Sequence, residues 1–388
     1  MRYAITAVAA AVAVLIAMAG YRYWQWSRPW QAWEAYRNGF VQVDGRVIDR
    51  TAGGRTTSEG QAYTLFFALV ANDRPVFDRV LRWTAANLCE GRLESRLPAW
   101  LWGEREDGSW GVKDANPASD ADLWIAYTLL EAARLWQQPD YARKAMALLA
   151  MIRSQELVEV PGLGMMLLPA PQGFQLEEGR WRFNPSYLPE FQFRYLAAAD
   201  PYGPWKAAWS NHLLQMQRLP LRGIVPDWYQ TDAAGRPLLD PISGGRGSYD
   251  AIRVYLWAGI SAEASGERRA APLLRLLAPY AALLRQREQP PEFVDVATGT
   301  ASGGAPIGYS AAVLPFLAVV DEDTVATQRT RLKNSRRESG SGNLGKPPHY
   351  YDQVLALFGE GWAEKRYRID TQGQVIPRWS KTCCGWPY

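Results

Sequence analysis

Histidine is nearly absent. His212 and His349 are the only two among 388 residues, and neither has a partner at metal-ligand spacing. A zinc centre or a Ser-His-Asp triad would have to be built from that supply, so neither is expected. Nucleotide motifs are missing too. There is no G-x-x-x-x-G-K-[ST] loop, and Gly244, Gly245 and Gly247 do not sit between a strand and a helix as a dinucleotide fingerprint would. Chemistry without a metal or cofactor is the expectation. Charge of one sign is also lacking: 43 basic against 39 acidic side chains leave +4, too weak a field to gather nucleic acid. Cysteine is scarce. Cys89 can pair with Cys383 or Cys384, or all three can remain thiols, and the spacing does not choose.

The apolar run Ala4 to Ala19 is short for a membrane span. With Arg2 ahead of it and Ala17-Met18-Ala19 at its end, residues 1–20 read as an export signal and imply a periplasmic or secreted protein. The rival reading is an uncleaved anchor, with Tyr21, Tyr23 and Trp24 at the membrane interface. Residues 21–388 show no composition break and are taken as one domain. No apolar surface patch stands out, so a monomer is expected.

What is abundant is tryptophan, 18 residues in a chain 48% apolar. Flat indole faces pack on sugar rings and their N–H groups bond hydroxyls, although most such rings serve as core. Apolar residues recur at helical spacing over much of the chain. Ser58 with Gln61 can cap a helix carrying Ala62, Leu65, Phe66 and Leu69. Further helices are predicted from Pro75, over 120–136, 142–156, 204–219, 248–264, 271–287 and 309–319, and over 351–363. Long Pro/Gly/Trp-rich connections at 97–117 and 158–189 separate them, and loops of that length are usually functional. Paired helices with elaborate loops on one side suggest an all-α fold, an α/α barrel or toroid. β-like pieces around Met166 and Trp181 are predicted to form a small hairpin on the loop side. Arg329 to Pro348 reads as a solvated, flexible loop.

With histidine scarce, carboxylates are the remaining chemistry, and glycoside hydrolysis needs two of them, one protonated and one ionised. Three sit at predicted helix starts: Glu59 in Arg55-Thr-Thr-Ser-Glu-Gly-Gln-Ala-Tyr63, Asp120 in Ala118-Ser-Asp-Ala-Asp-Leu-Trp-Ile-Ala126, and Asp250 in Ser248-Tyr-Asp-Ala-Ile-Arg253. Each alone has an ordinary explanation, since acidic residues in a first turn favour the helix dipole.

In this order the three segments resemble the family 8 glycoside hydrolases. Arg46-Val-Ile-Asp49, Leu97-Pro-Ala-Trp-Leu-Trp-Gly103, Val160-Pro-Gly-Leu-Gly164, Phe183-Asn-Pro-Ser-Tyr-Leu-Pro189 and Val294-Asp-Val-Ala-Thr-Gly299 extend the likeness over nearly the whole chain. Thr128 departs from it conservatively, standing where the family has Ser or Ala. The resemblance implies an (α/α)6 barrel with an open cleft, and endo-acting hydrolysis of β-1,4-glucan (cellulose) with inversion. Within the family the chain is similar to members encoded with bacterial cellulose synthase, which makes that complex an expected partner. The same likeness places Glu59 on the general acid, Asp250 on the general base and Asp120 on the signature aspartate that holds the sugar at the cleavage point. Tyr187 and Arg253 fall on polar partners of the base and its water.

The physical requirements agree with those roles. Inversion needs carboxyls roughly 6.5–9.5 Å apart. Glu59 must keep its proton, by burial or by the push of a nearby anion such as Asp120. Asp250 must stay ionised, which Arg253 one turn on would favour. Trp102 and Trp181 are the expected stacking platforms, with Tyr249 and Trp110 behind them. Two other readings remain open here: a glucan-guiding subunit that does not cut, and a related hydrolase of xylan, chitosan or mixed-linkage glucan.

Overall fold

The computed structural model describes residues 28–380 apart from 220, 221 and 266. The predicted export signal and the thiols of Cys383 and Cys384 lie outside the described residues; Cys89 is a buried thiol.

Thirteen α-helices are present among the described residues: α1 (Gln31–Phe40), α2 (Ser58–Val70), α3 (Arg74–Leu88), α4 (Ser119–Trp136), α5 (Pro139–Gln155), α6 (Glu190–Ala199), α7 (Trp205–Arg218), α8 (Ala251–Ser265), α9 (Glu267–Arg285), α10 (Ile307–Ala312), α11 (Leu314–Val320), α12 (Glu322–Ser339) and α13 (Tyr350–Ala363). They alternate between an outer layer (α1, α3, α5, α7, α9, α12) and an inner one (α2, α4, α6, α8, α10–α11, α13), the arrangement of an (α/α)6 barrel. The fifth inner helix is broken beside Pro315, which has no N–H to continue the ladder.

Burial separates the layers. Twelve of thirteen residues of α2 and thirteen of eighteen of α4 are buried, against four of eighteen in α12. A helix apolar all round has to be enclosed, whereas a polar one with a narrow apolar stripe belongs outside. Rings from four other inner helices meet around Trp124 of α4: Phe66 at 5.0 Å, Phe358 at 5.2 Å, Trp257 at 5.4 Å, Tyr63 at 5.6 Å and Phe191 at 6.0 Å between centroids. The barrel is therefore a packed core and not a pore, and much of the aromatic content is spent there. Two glycines allow the closest helix approaches. A Cβ on Gly359 would stand 1.8 Å from the Ala311 carbonyl oxygen, and one on Gly259 2.2 Å from the Phe316 nitrogen.

The loops carry small antiparallel sheets. In one, β1 (Thr56–Thr57) pairs with β2 (Leu101–Glu104), which pairs with β3 (Trp110–Asp114). The hairpin predicted from Met166 and Trp181 does not form. Met166 lies in β5 (Gly164–Leu167), which turns back on β4 (Leu157–Val160) through Gly162 at φ +77°. Trp181 lies in β6 (Trp181–Phe183), which pairs with β7 (Tyr229–Thr231), and that in turn with β8 (Pro237–Leu239). The glycine turn satisfies β5 locally, so β6 takes a distant partner. The predicted flexible loop is also corrected: α12 runs on to Ser339, with Arg331 donating to Ser310 Oγ and Arg336 to Glu360. Acidic Glu322 and Asp323 in its first turn and basic Arg336 and Arg337 in its last complement the dipole.

Candidate active site

The chemistry collects at the N-termini of the inner helices. Glu59 and Asp120 are the second residues of α2 and α4, Asp250 directly precedes α8, and Tyr351 is the second residue of α13. Helix N-termini carry partial positive charge and suit a group of anions. A cleft of about 790 Å³ opens there, lined by Glu59, Asp250, Arg253, Tyr249, Glu292 and Tyr351 among others.

Glu59 is the one residue of α2 that is only half-buried, its side chain 23% exposed to the cleft. Its helix is capped by Thr57, whose Oγ1 accepts from the Gly60 N–H at 3.1 Å, and not by Ser58 as predicted. Gln61 does not reach back to complete a capping box. It is turned into the core, where Oε1 accepts from the Val47 N–H at 2.8 Å and Nε2 donates to Thr84 Oγ1 at 3.0 Å. The Ser-Glu-Gly-Gln segment thus pins the helix start to the loop before it and to α3, with Glu59 left facing the cleft.

One cation joins all three predicted carboxylates. The Arg253 guanidinium, 3% exposed, donates from Nη1 to Glu59 and from Nη2 to Asp250 Oδ1 at 2.5 Å, and Nη1 lies 3.7 Å from Asp120 Oδ2. Ser186 Oγ accepts from Nη2 at 2.9 Å and the Tyr63 hydroxyl from Nη1 at 3.3 Å. The guanidinium carbon also stands 5.8 Å from the centre of the Tyr187 ring. Glu59 and Asp250 therefore sit on different nitrogens, with the guanidinium between them. Arg253 was predicted as a partner of Asp250 alone; it is the hub of the site. Among the described residues no group of three His, Cys, Asp or Glu side chains gathers in metal-binding fashion.

Burial dominates the electrostatics. It raises the Glu59 carboxyl above the ordinary range; Arg253 opposes this and the charge of Asp250 adds to it. The predicted like-charge repulsion between Glu59 and Asp120 is present and falls chiefly on Asp120, with Asp250 the anion that raises Glu59. Asp120 itself is pushed up to about 7 by burial, opposed by Arg253 and reinforced by Glu59.

The aromatic predictions fare unevenly. Trp181 is 8% exposed and held in a strand. Trp102 is half-buried between Trp83 and Trp110, with the Arg46 guanidinium 4.2 Å from the centre of its ring. The open rings are the two placed behind them: Trp110 at 46% and Tyr249 at 42% exposure, Tyr249 donating to Glu292 Oε1 at 2.9 Å. Strand pairing opposite Thr56 turns Trp102 onto Arg46 and Trp83, a contact that sequence order does not reveal. Residues missed in the sequence include Tyr351, Glu292, Ser186 and Trp228, which is edge-on to Tyr187 at 6.2 Å. Asp227 was also missed, although Val225-Pro-Asp-Trp228 offered a carboxylate beside a tryptophan in a loop.

Residues 5–365 match the profile of Glycosyl hydrolases family 8. The chain is 45% identical to an endoglucanase of Xanthomonas axonopodis pv. citri over 358 residues, covering 92% of this chain and 91% of that one. It is 43% identical to an endoglucanase of Escherichia coli K12 over 363 residues, with 91% and 92% covered. The crystal structure of an endo-1,4-D-glucanase from Vibrio fischeri superposes with a TM-score of 0.85 at 37% identity, over 91% of this chain and all of that one.

Proposed function

Since the chain belongs to glycosyl hydrolase family 8, we propose that Glu59 and Asp250 cleave β-1,4-glucan by a single inverting displacement. The protein is a glycoside hydrolase, an endo-acting glucanase. Glu59 donates its proton to the departing glycosidic oxygen while Asp250 takes one from the water that attacks the opposite face of the sugar. Asp120 binds the sugar at the cleavage point, and Arg253 keeps the carboxylates apart and in register. The observation that carries this reading is the shared guanidinium: two carboxylates on separate nitrogens beside a cleft large enough for a chain of sugars. Burial of Glu59 favours its protonated form, which suits a donor.

Cellulose is the proposed polymer, and service beside a bacterial cellulose synthase the proposed setting. The similarity to cellulose-operon members supports both. Export through residues 1–20 and action as a monomer complete the proposal. A guiding subunit that does not cut is disfavoured, because a pure binder has no use for buried acids.

Glu59→Gln tests the acid. Turnover on carboxymethylcellulose should fall about 10²–10⁴-fold, with binding to insoluble cellulose retained. Near-normal turnover would remove Glu59 from the role. NMR of freshly released ends should show the α-anomer first; initial β-anomer would rule out inversion.

A further inference from the structure

Asp250 does not hold its own position. It precedes the first helical residue of α8, and its backbone N–H, with those of Ser248 and Ala251, converges on one acceptor from elsewhere in the chain. That acceptor is Asp227 Oδ1, at 3.0 Å from the Asp250 nitrogen and 2.8 Å from the other two. Asp227 is in turn fixed from behind, its own N–H donating to the Arg246 carbonyl at 2.8 Å. The next residue, Trp228, stacks on Phe174 with centroids 5.6 Å apart and meets Tyr187 edge-on. One carboxylate thus caps α8 from a neighbouring loop and ties the segment bearing Asp250 to the aromatic wall of the cleft.

We propose that Asp227 is a positioning residue for the reaction: it aims the Asp250 carboxylate at the attacking water by clamping three backbone donors, those of Ser248, Asp250 and Ala251, at the start of α8. The proposal rests on the reading of Asp250 as the base. A clamp of this kind acts on kcat, because a displacement of about 1 Å at a reacting group costs roughly 10²-fold. It also acts on pH dependence. Burial and the facing charge of Asp250 push Asp227 up to about 6, against the three backbone bonds. The other titratable groups facing it are Tyr255 on α8 and Tyr309 on α10, both kept neutral by burial. Arg253 faces the Asp250 end of the pair. Asp227 therefore takes up its proton on the acid side of the activity profile.

Three full-length variants separate the possibilities, assayed on carboxymethylcellulose across acid and neutral pH. Asp227→Ala should lower kcat about 10²-fold with KM unchanged. Asp227→Asn, whose side-chain oxygen can accept the same bonds, should regain most of kcat at neutral pH. Its acid limb of kcat/KM should lie at lower pH, because the neighbouring anion is gone. A cap serving stability alone would lower the melting temperature and leave that limb in place. A wild-type limb in Asp227→Asn, or an unchanged kcat in Asp227→Ala, overturns the proposal. Asp250→Asn should be inactive; if it still turns over, the base reading fails and not the clamp.

Discussion

Replacing Asp120 by Asn should make the protein more stable as pH rises while disabling it. The folded state pushes the Asp120 carboxyl from its ordinary 3.8 up to about 7, chiefly through burial. An acid raised in this way costs nothing while it is protonated in both states. As pH climbs past 3.8 the unfolded chain releases its proton and the folded chain does not, so stability drains until pH passes about 7. At 1.36 kcal/mol for each tenfold difference in proton affinity, the cost at mildly alkaline pH is about 4 kcal/mol. Asn removes that cost, and its side-chain oxygen can still accept the Ala121 N–H that Asp120 Oδ1 accepts at 2.8 Å. Denaturant unfolding of both proteins at about pH 4 and about pH 8 measures the effect. The variant should be near wild type in acid and ahead by a few kcal/mol in base, with hydrolysis lost. A stability difference that does not change with pH, or one that favours wild type as pH rises, would refute the reasoning.

Four further outcomes follow from the packing and the site. Gly359→Ala drives a Cβ against the Ala311 carbonyl and should lower stability by about 1–3 kcal/mol in urea unfolding, with catalysis per folded molecule intact. Trp181→Ala should cost about 3–5 kcal/mol because the ring is buried. Trp110→Ala, at an exposed ring, should leave the melting temperature unchanged and weaken affinity for long glucans. Arg253→Lys keeps a charge but cannot bridge Glu59, Asp250 and Ser186 from one rigid fork; kcat should fall about 10²-fold.

Legibility in the sequence followed the length and apolar pattern of each helix. The inner helices α2, α4 and α8 were predicted because they are apolar over most of their length, and the acids at their starts came with them. The outer helix α12 was read as a loop, since its mean hydropathy is low and only four of its residues are buried. Helices α1 and α6 are short, at ten residues each, and went unrecognised. The exposure of the aromatic rings was not legible, because it is a property of what packs on each ring. Trp102 is covered by Arg46, which lies well before its strand partner Thr56, and by Trp83, through a strand pairing with no local signature.

By itself the sequence narrowed the chemistry to carboxylates, because histidine is too scarce for a metal site or a triad. Its resemblance to family 8 glycoside hydrolases then pointed to a sugar bond and to Glu59, Asp120 and Asp250 as the candidate residues. Tertiary structure decided the electrostatics. Glu59, Asp120 and Asp250 are separated by scores of residues, and only closure of the inner ring places them around one guanidinium. Which carboxyl keeps a proton depends on burial and on charges a few ångströms away in space, and those distances are set by helix packing. For the same reason Asp227, an unremarked loop residue in the sequence, becomes the anchor of α8 in the fold.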